Sequence, residues 1–567
     1  MKTTCLIPFL LFLNLATHAQ QSIIFHNGKI YTSNERQPEA KAIAIKGDKI
    51  IAVGELNAVK SVAGKDAILT DLNGKCLIPG LIDSHNHAVT GGRSLMVAFL
   101  GDTFLEEDSL TKYAKYAMVS KRGMRGDVLF VMGFHSNTWA HVDVLDRIFN
   151  GAEYTSQPVT LKGSDGHTGW ANKPMLKRAG ITGAFIKTLP PDEQKYFGLN
   201  QGGEPNGLIA ESGFEYINKV MPASPIQWPE ALSTGMKHLN SLGITAWMDP
   251  SAGSIADGLD NTILAAYSKV SKQPGFSAHV TALIRADGNL DPTAQINLAK
   301  QWRSNFADNK FISIVGFKIF ADGVMEFPTQ TASMSLPYKN SGLQGSQMVD
   351  PENFKQFVAA ADREKLLVHI HAIGDRAVTD ALDAIEAARK SSENANVPHS
   401  ITHLQCVNPK DLDRFKTLNV PVSMQLLWAT KDVYTEDLVR QYIDPTLYEY
   451  MYPAKSILNH GGIVAGASDW SVSSANPFEA IAMAETRVGK DGVLNAAEIM
   501  SRNDMIKAYT ISAAKVILLE KSIGSLEVGK QADLVLLDRD FATVSSESVK
   551  DTKVLWTIFG GKVVYRK

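Results

Sequence analysis

Eight short apolar runs, each followed by a helix-like stretch, fill the middle of this sequence and limit its fold more than any other feature. They cover 76–82, 244–248, 278–284, 315–320, 366–371, 401–406, 420–425 and 463–467. Strands that alternate with helices pair in parallel, because only a long crossover returns the chain to the same end of a sheet. Eight is the number that closes a (β/α)8 barrel. The helix after the fifth run is the clearest: Ala377, Val378, Ala381, Leu382 and Ile385 share one apolar face, and Asp375 is placed to cap it.

The ends of the chain are of another kind. Residues 22–25 and 29–32 flank Asn27-Gly28, and 42–46 and 49–53 flank Gly47-Asp48, both read as hairpins. Near the C-terminus, 532–537 reads as a strand, and 554–559 turns at Gly560-Gly561 into 562–565. The expected architecture is α/β: a (β/α)8 TIM barrel over 76–515, with a small β-sandwich domain built from both termini, 21–75 and 516–567. The gap between the first and second runs is far too long for a loop. It holds strand signals of its own at 128–132 and 159–162, so 88–240 is expected to form an inserted subdomain over the barrel mouth.

Residues 1–20 carry Lys2, an apolar core over 6–15 and Thr17-His18-Ala19, the pattern of a secretory signal peptide. Cleavage near Gln20 or Gln21 would leave a secreted or periplasmic protein with no membrane insertion. That mature chain would keep Cys76 and Cys406, too few for a disulfide framework and wrongly spaced for a thiolate metal site. With 57 basic and 59 acidic residues the net charge is -2, which gives no footing for a nucleic-acid partner. The expected partner is a small-molecule substrate, with a homodimer as the default assembly.

The chemistry gathers at strand ends. His85 and His87 close the first run; alternate residues on a strand point the same way, so both imidazoles face one side at the end where barrel active sites lie. Two such imidazoles suit a divalent metal such as zinc. The fifth run ends in His371, the sixth carries His403, and Asp469 follows the eighth. The chain has only 14 histidines, so this convergence is not expected by chance. Lys318 sits inside the fourth run, where a lysine must be paired, with Asp322 for example, or modified as a carbamate. Gly91-Gly92 and Gly202-Gly203 are not dinucleotide fingerprints, and no G-x-S-x-G nucleophile elbow is present.

The segments Pro79-Gly80-Leu81-Ile82-Asp83-Ser84-His85-Asn86-His87, Lys318-Ile319-Phe320-Ala321-Asp322-Gly323, His371-Ala372-Ile373-Gly374-Asp375, Gly466-Ala467-Ser468-Asp469-Trp470 and Gly524-Ser525-Leu526-Glu527-Val528-Gly529 carry a resemblance. Together they resemble the metal-dependent amidohydrolase superfamily, most closely its amidohydrolase-3, YtcJ-like branch, which includes N-substituted formamide deformylase. The resemblance implies one or two divalent metals per chain. His85 and His87 would hold the more buried one and His371 and His403 the more exposed one. Lys318, as N6-carboxylysine, would bridge them, and Asp469 would ligate and shuttle a proton. Of His369 and His371, the resemblance favours His371, because the following Gly-Asp fits the pattern; His369 is then a core or supporting histidine. The segment Ser164-Asp165-Gly166-His167-Thr168-Gly169-Trp170 resembles a substrate-facing stretch, which makes His167, Trp170 and Glu211 candidates for substrate binding and His167 also for catalysis.

The function so implied is hydrolysis of a non-peptide C–N bond, in an amide or formamide-like small molecule, by a metal-activated hydroxide, with Asp469 carrying the proton to the leaving nitrogen. The same barrel could serve as an esterase or a deaminase, or as a binding protein without catalysis, since fold does not fix substrate.

Overall fold

The computed structural model describes residues 21–223, 226–258, 261–392 and 397–567. The expected signal peptide lies outside the described residues. Eight parallel strands form the central sheet in sequential order: β1 (Leu81–Asp83), β2 (Ile244–Ser254), β3 (His279–Arg285), β4 (Ile312–Phe320), β5 (Leu367–Ala372), β6 (Ser400–His403), β7 (Val422–Met424) and β8 (Val464–Gly466). All six residues of β5 are buried, as are all of β6, β7 and β8. Strands covered on both faces read as unbroken apolar runs, which is why the eight were visible in the sequence. The ring closes where β8 meets β1: Ser84 N–H and Oγ donate to Gly466 O at 3.1 and 2.8 Å. Among the described residues no helix is long and apolar enough to cross a membrane.

The first expected run is two strands rather than one. Cys76–Pro79 pairs with Ile23–Tyr31 on one side and Leu534–Leu537 on the other, in the terminal domain. Leu81–Asp83 then begins the barrel beside β2. The switch is at Gly80, whose N–H donates to Asp533 O at 2.8 Å. A Cβ there would sit 2.2 Å from Thr245 Oγ1.

The terminal domain is an eight-stranded sheet in which strands from both ends of the chain interleave. It wraps so that Phe25, Ile43 and Ile45 share one core with Leu534, Leu536 and Ile558. The Gly47-Asp48 and Gly560-Gly561 hairpins are present. Asn27-Gly28 is not a hairpin: Ile23–Tyr31 runs through it as one strand with a bulge, Asn27 taking φ 56°. The pair supplies the irregular backbone that a bulge needs as readily as that of a turn.

Between β1 and β2 the chain builds a separate seven-stranded sheet spanning Phe99 to Ala210, with its own cores around Phe149 and Phe197. Helix α1 (Ala88–Ser94) leads out to it and α2 (Trp228–Ser241) leads back. Both helices pack in the barrel's core, so close that a Cβ on Gly92 would meet Ala231 O at 1.9 Å. Helix α3 (Asp375–Ser391) buries the expected apolar face, but Asp375 does not cap it. Its carboxylate instead accepts from Ser335 N at 2.9 Å and tethers the long loop after β4.

Gly80→Ala is expected to lower stability by ~1–3 kcal/mol, the usual cost of an added methyl with no room to move. The β-branched Thr245 in front of it has little freedom to retreat. The shift in a chemical-denaturation midpoint measures it.

Candidate metal centre

One buried carboxylate ties the ends of β1 and β8. Asp83 accepts from His85 N at 3.3 Å, Asn86 Nδ2 at 2.8 Å, Ser468 N at 3.0 Å and Ser468 Oγ at 2.5 Å. Burial pushes its carboxyl up to about 6, against those hydrogen bonds. Asp469 N–H then donates to His85 O at 2.9 Å, and His87 N–H to Trp470 O at 3.0 Å. These bonds bring His85, His87 and Asp469 face to face, with His403 beside them. Asp469 Oδ1 lies 3.0 Å from His87 Nε2 and 3.4 Å from His85 Nε2, and Asp469 Oδ2 lies 4.0 Å from His403 Nδ1. One donor atom from each of His85, His403 and Asp469 lies within 4.8 Å of the others, and all three residues are buried.

The charge state fits a cation. Burial, and then the Lys318 ammonium, push His85 down to about 3; burial also holds His371 and His403 well below the usual histidine range. Their lone pairs are therefore free. Burial opposes the charge on Asp469, but facing His85 and His87 outweigh it and keep the carboxyl well below the carboxylate range. Yet Asp469 Oδ1, fully enclosed, accepts no hydrogen bond of acceptable geometry. A buried anionic oxygen that faces the imidazoles of His85 and His87 and makes no hydrogen bond of acceptable geometry is the environment a divalent metal fills. The backbone is strained here as well: His403 has φ 79° and Asp469 φ 54°. Non-glycine residues hold such angles only where their surroundings over-determine them.

His371 stands beside His403, ring centroids 4.4 Å apart, with its Nε2 3.0 Å from Gly323 O. Lys318 is 2% exposed on β4, in register with His369. Among the described residues no carboxylate lies within 4.0 Å of its ammonium. Asp322, its expected partner, instead accepts from the backbone N–H groups of Ser333, Ile373 and Gly374 at 2.8–3.0 Å. Burial pushes Lys318 down to about 7, with Asp469 opposing. His369 stands fully buried behind His85. Its Nε2 is 2.7 Å from His85 Nδ1, and its Nδ1 is 2.7 Å from Ser400 Oγ. That contact occupies His85 Nδ1 and leaves Nε2 toward Asp469.

The inserted sheet forms one wall. His167 has its ring centroid 5.6 Å from that of His371. Its Nδ1 is 2.9 Å from Glu211 Oε2, Glu211 N–H donates to His167 O at 2.8 Å, and Thr331 Oγ1 donates to Glu211 Oε1 at 2.9 Å. Burial disfavours protonation of His167, but the Glu211 carboxylate outweighs it and raises the pKa to about 9. Trp170 is not brought to this wall. It is fully buried in the insertion's core, with Nε1 donating to Asn206 O at 3.0 Å. Asp83, which sequence reasoning did not single out, lies inside the quoted Ile82-Asp83-Ser84-His85 segment. Its place in front of two histidines was the available signal.

Residues 69–565 match the Amidohydrolase family. The protein LONG AFTER FAR-RED 3 of Arabidopsis thaliana is 28% identical over 563 residues, covering 96% of this chain and 91% of that one. The N-substituted formamide deformylase of Arthrobacter pascens is 22% identical over 564 residues, covering 96% of this chain and 99% of the relative. A crystal structure of an uncharacterized metal-dependent hydrolase from Pyrococcus horikoshii OT3 superposes with a TM-score of 0.69 at 23% identity, covering 93% of this chain and 99% of that one.

His369→Phe removes the partner of His85 Nδ1 and is expected to weaken divalent-metal affinity ~10–100-fold, as loss of a ligand's supporting hydrogen bond does elsewhere. Competition with a coloured chelator measures it.

Proposed function

The chain belongs to the amidohydrolase family, and on that premise we propose that it is a metal-dependent hydrolase of a non-peptide C–N bond in an amide or formamide-like small molecule. The observation that carries this reading is Asp469, a buried carboxylate facing His85 and His87 with one oxygen left without a proton donor. His85, His87 and Asp469 would hold one zinc-like metal, and His371 with His403 a second. Lys318, buried among them with no carboxylate partner among the described residues, would join the two as a carbamate. A divalent cation so held supplies a Lewis acid that polarises a carbonyl and lowers the pKa of water from 15.7 toward roughly 7. The name of the Arthrobacter relative supports a formamide-like substrate.

The chain's own residues do the rest. Asp469 carries its proton relay through the second oxygen, taking a proton from the attacking water and releasing it to the leaving nitrogen. His167 has Nδ1 committed to Glu211, so Nε2–H remains to donate to a substrate oxygen as charge develops on it. Glu211 keeps that imidazole cationic, and Thr331 fixes Glu211 from the barrel side. Nothing in the set requires a side-chain nucleophile.

Metal content per chain, measured by elemental mass spectrometry on protein purified without chelators, tests the centre. Two metals are expected in the parent and fewer in Lys318→Ala; none in either would overturn the reading. Formamides, acylated amino acids, cyclic amides and aryl esters then test the bond, with turnover of an amide expected to vanish on chelation and return with added zinc. Turnover of aryl esters alone would reassign the activity. His167→Gln is expected to lower kcat/KM by ~10²–10³ while metal content stays unchanged.

A further inference from the structure

A second group of charged side chains lies where the inserted sheet meets the barrel. Arg93, on α1, has its guanidinium 5.2 Å from the Trp228 ring centroid. Among the described residues its Nη2 reaches only Met132 Sδ, at 3.4 Å, and its buried Nε donates to nothing. Arg125 stacks 3.9 Å from the Phe130 ring centroid and makes no hydrogen bond or ion pair through its side chain among the described residues. Arg122 donates once, to Leu95 O at 2.8 Å. Lys121 stands next to it in the chain. Among the described residues no carboxylate lies within 4.0 Å of any of these four cations. Arg125 instead feels Arg93, a like charge, and that repulsion adds to burial in pushing its pKa down to about 10.

Lys121, Arg122 and Arg125 border a cavity of about 50 Å³, lined also by Met124, Phe130, Met132 and Ile226. Guanidinium groups are ordinarily buried against carboxylates or carbonyls, because an uncompensated charge taken from water is costly. Two half-buried guanidiniums that repel each other, with most of their N–H groups unused among the described residues, leave a concentrated positive field and open donors beside one small cavity. Stacking on Trp228 and Phe130 satisfies the ring faces of these groups but not the N–H donors at their edges.

We propose that this cavity is a binding site for a small, doubly charged tetrahedral oxyanion, inorganic phosphate in the simplest case, held by Arg122 and Arg125 with Arg93 and Lys121 completing the field. Its planar donors match such an anion in bidentate fashion. The volume suits a free ion or the exposed end of a phosphomonoester. The chain passes the site twice, at Met96-Val97 on its way into the insertion and at Ile226 on its way back. An anion there would pin both crossings.

Thermal melting and titration calorimetry of the full chain test this, using phosphate, glycerol phosphate and chloride at matched ionic strength. Phosphate is expected to raise Tm where chloride does not. Arg125→Gln should bind it at least about tenfold more weakly, the loss of one charge-assisted contact. In phosphate-free buffer the same variant should melt no lower than the parent, because relief of the repulsion from Arg93 offsets the lost stack on Phe130. Asp469→Asn should keep the phosphate effect, separating this cavity from the metal centre. A response to glycerol phosphate as large as that to phosphate would identify an esterified ligand; a response to phosphate alone would identify the free ion. Equal effects of chloride and phosphate, a phosphate effect that follows Asp469 rather than Arg125, or an equal loss of stability in Arg125→Gln with and without phosphate would overturn the proposal.

Discussion

Closure of the barrel between its first and last strands is the constraint from which the centre follows. Asp83 and Ser468, 385 residues apart in the chain, are joined through both carboxylate oxygens, and Ser84 bonds to Gly466 beside them. A parallel barrel has no hairpin to hold its seam, so side chains at the strand ends supply the bonds that backbone pairing does not. The seam fixes more than closure. His85 and His87 follow closely after Asp83, and Asp469 follows Ser468, so the geometry of these three side chains is set by the same bonds that keep the ring shut. A carboxylate held this deep is tolerable only because four donors surround it.

Around that seam, the remaining candidates are placed by register rather than by contact. Lys318 pairs with His369 across β4 and β5, and Phe320 pairs with His371. His369 therefore lies one level deeper than His371, behind His85, while His371 faces the mouth beside His167. The insertion contributes its imidazole from above and braces it with Glu211, itself at φ 45°. The barrel braces Glu211 in turn through Thr331. The wall is thus anchored on the barrel and does not depend on the insertion alone for its position.

How much of this was legible follows from what each signal measures. Strands buried on both faces must be apolar throughout, so the eight runs announced themselves, and polar residues at their ends stood out against them. The switch at Gly80 was not legible, since a strand that changes sheets keeps the same composition on both sides. Asn27-Gly28 satisfied a turn and a bulge equally. Trp170 shares a motif with His167, but it lies on a short strand whose side chains fill the insertion's core, and a motif does not reveal which way a neighbour faces. The deep position of His369 needed the register between β4 and β5. The arginines at the seam of insertion and barrel are scattered along the chain, and charges so spaced are ordinarily a solvated surface; only the fold brings them together.

The interleaved terminal sheet has a consequence for the order in which the molecule can be made. Cys76–Pro79 lies between Ile23–Tyr31 and Leu534–Leu537, so one of its two partners is about 450 residues downstream. At the ~5–20 residues per second of protein synthesis, roughly 20 to 90 seconds pass before that partner emerges. Through that interval the early strands present an open sheet edge. The barrel begins one residue after Cys76–Pro79 and inherits its entry point from that strand, so a segment made after the whole barrel completes the domain from which the first barrel strand departs.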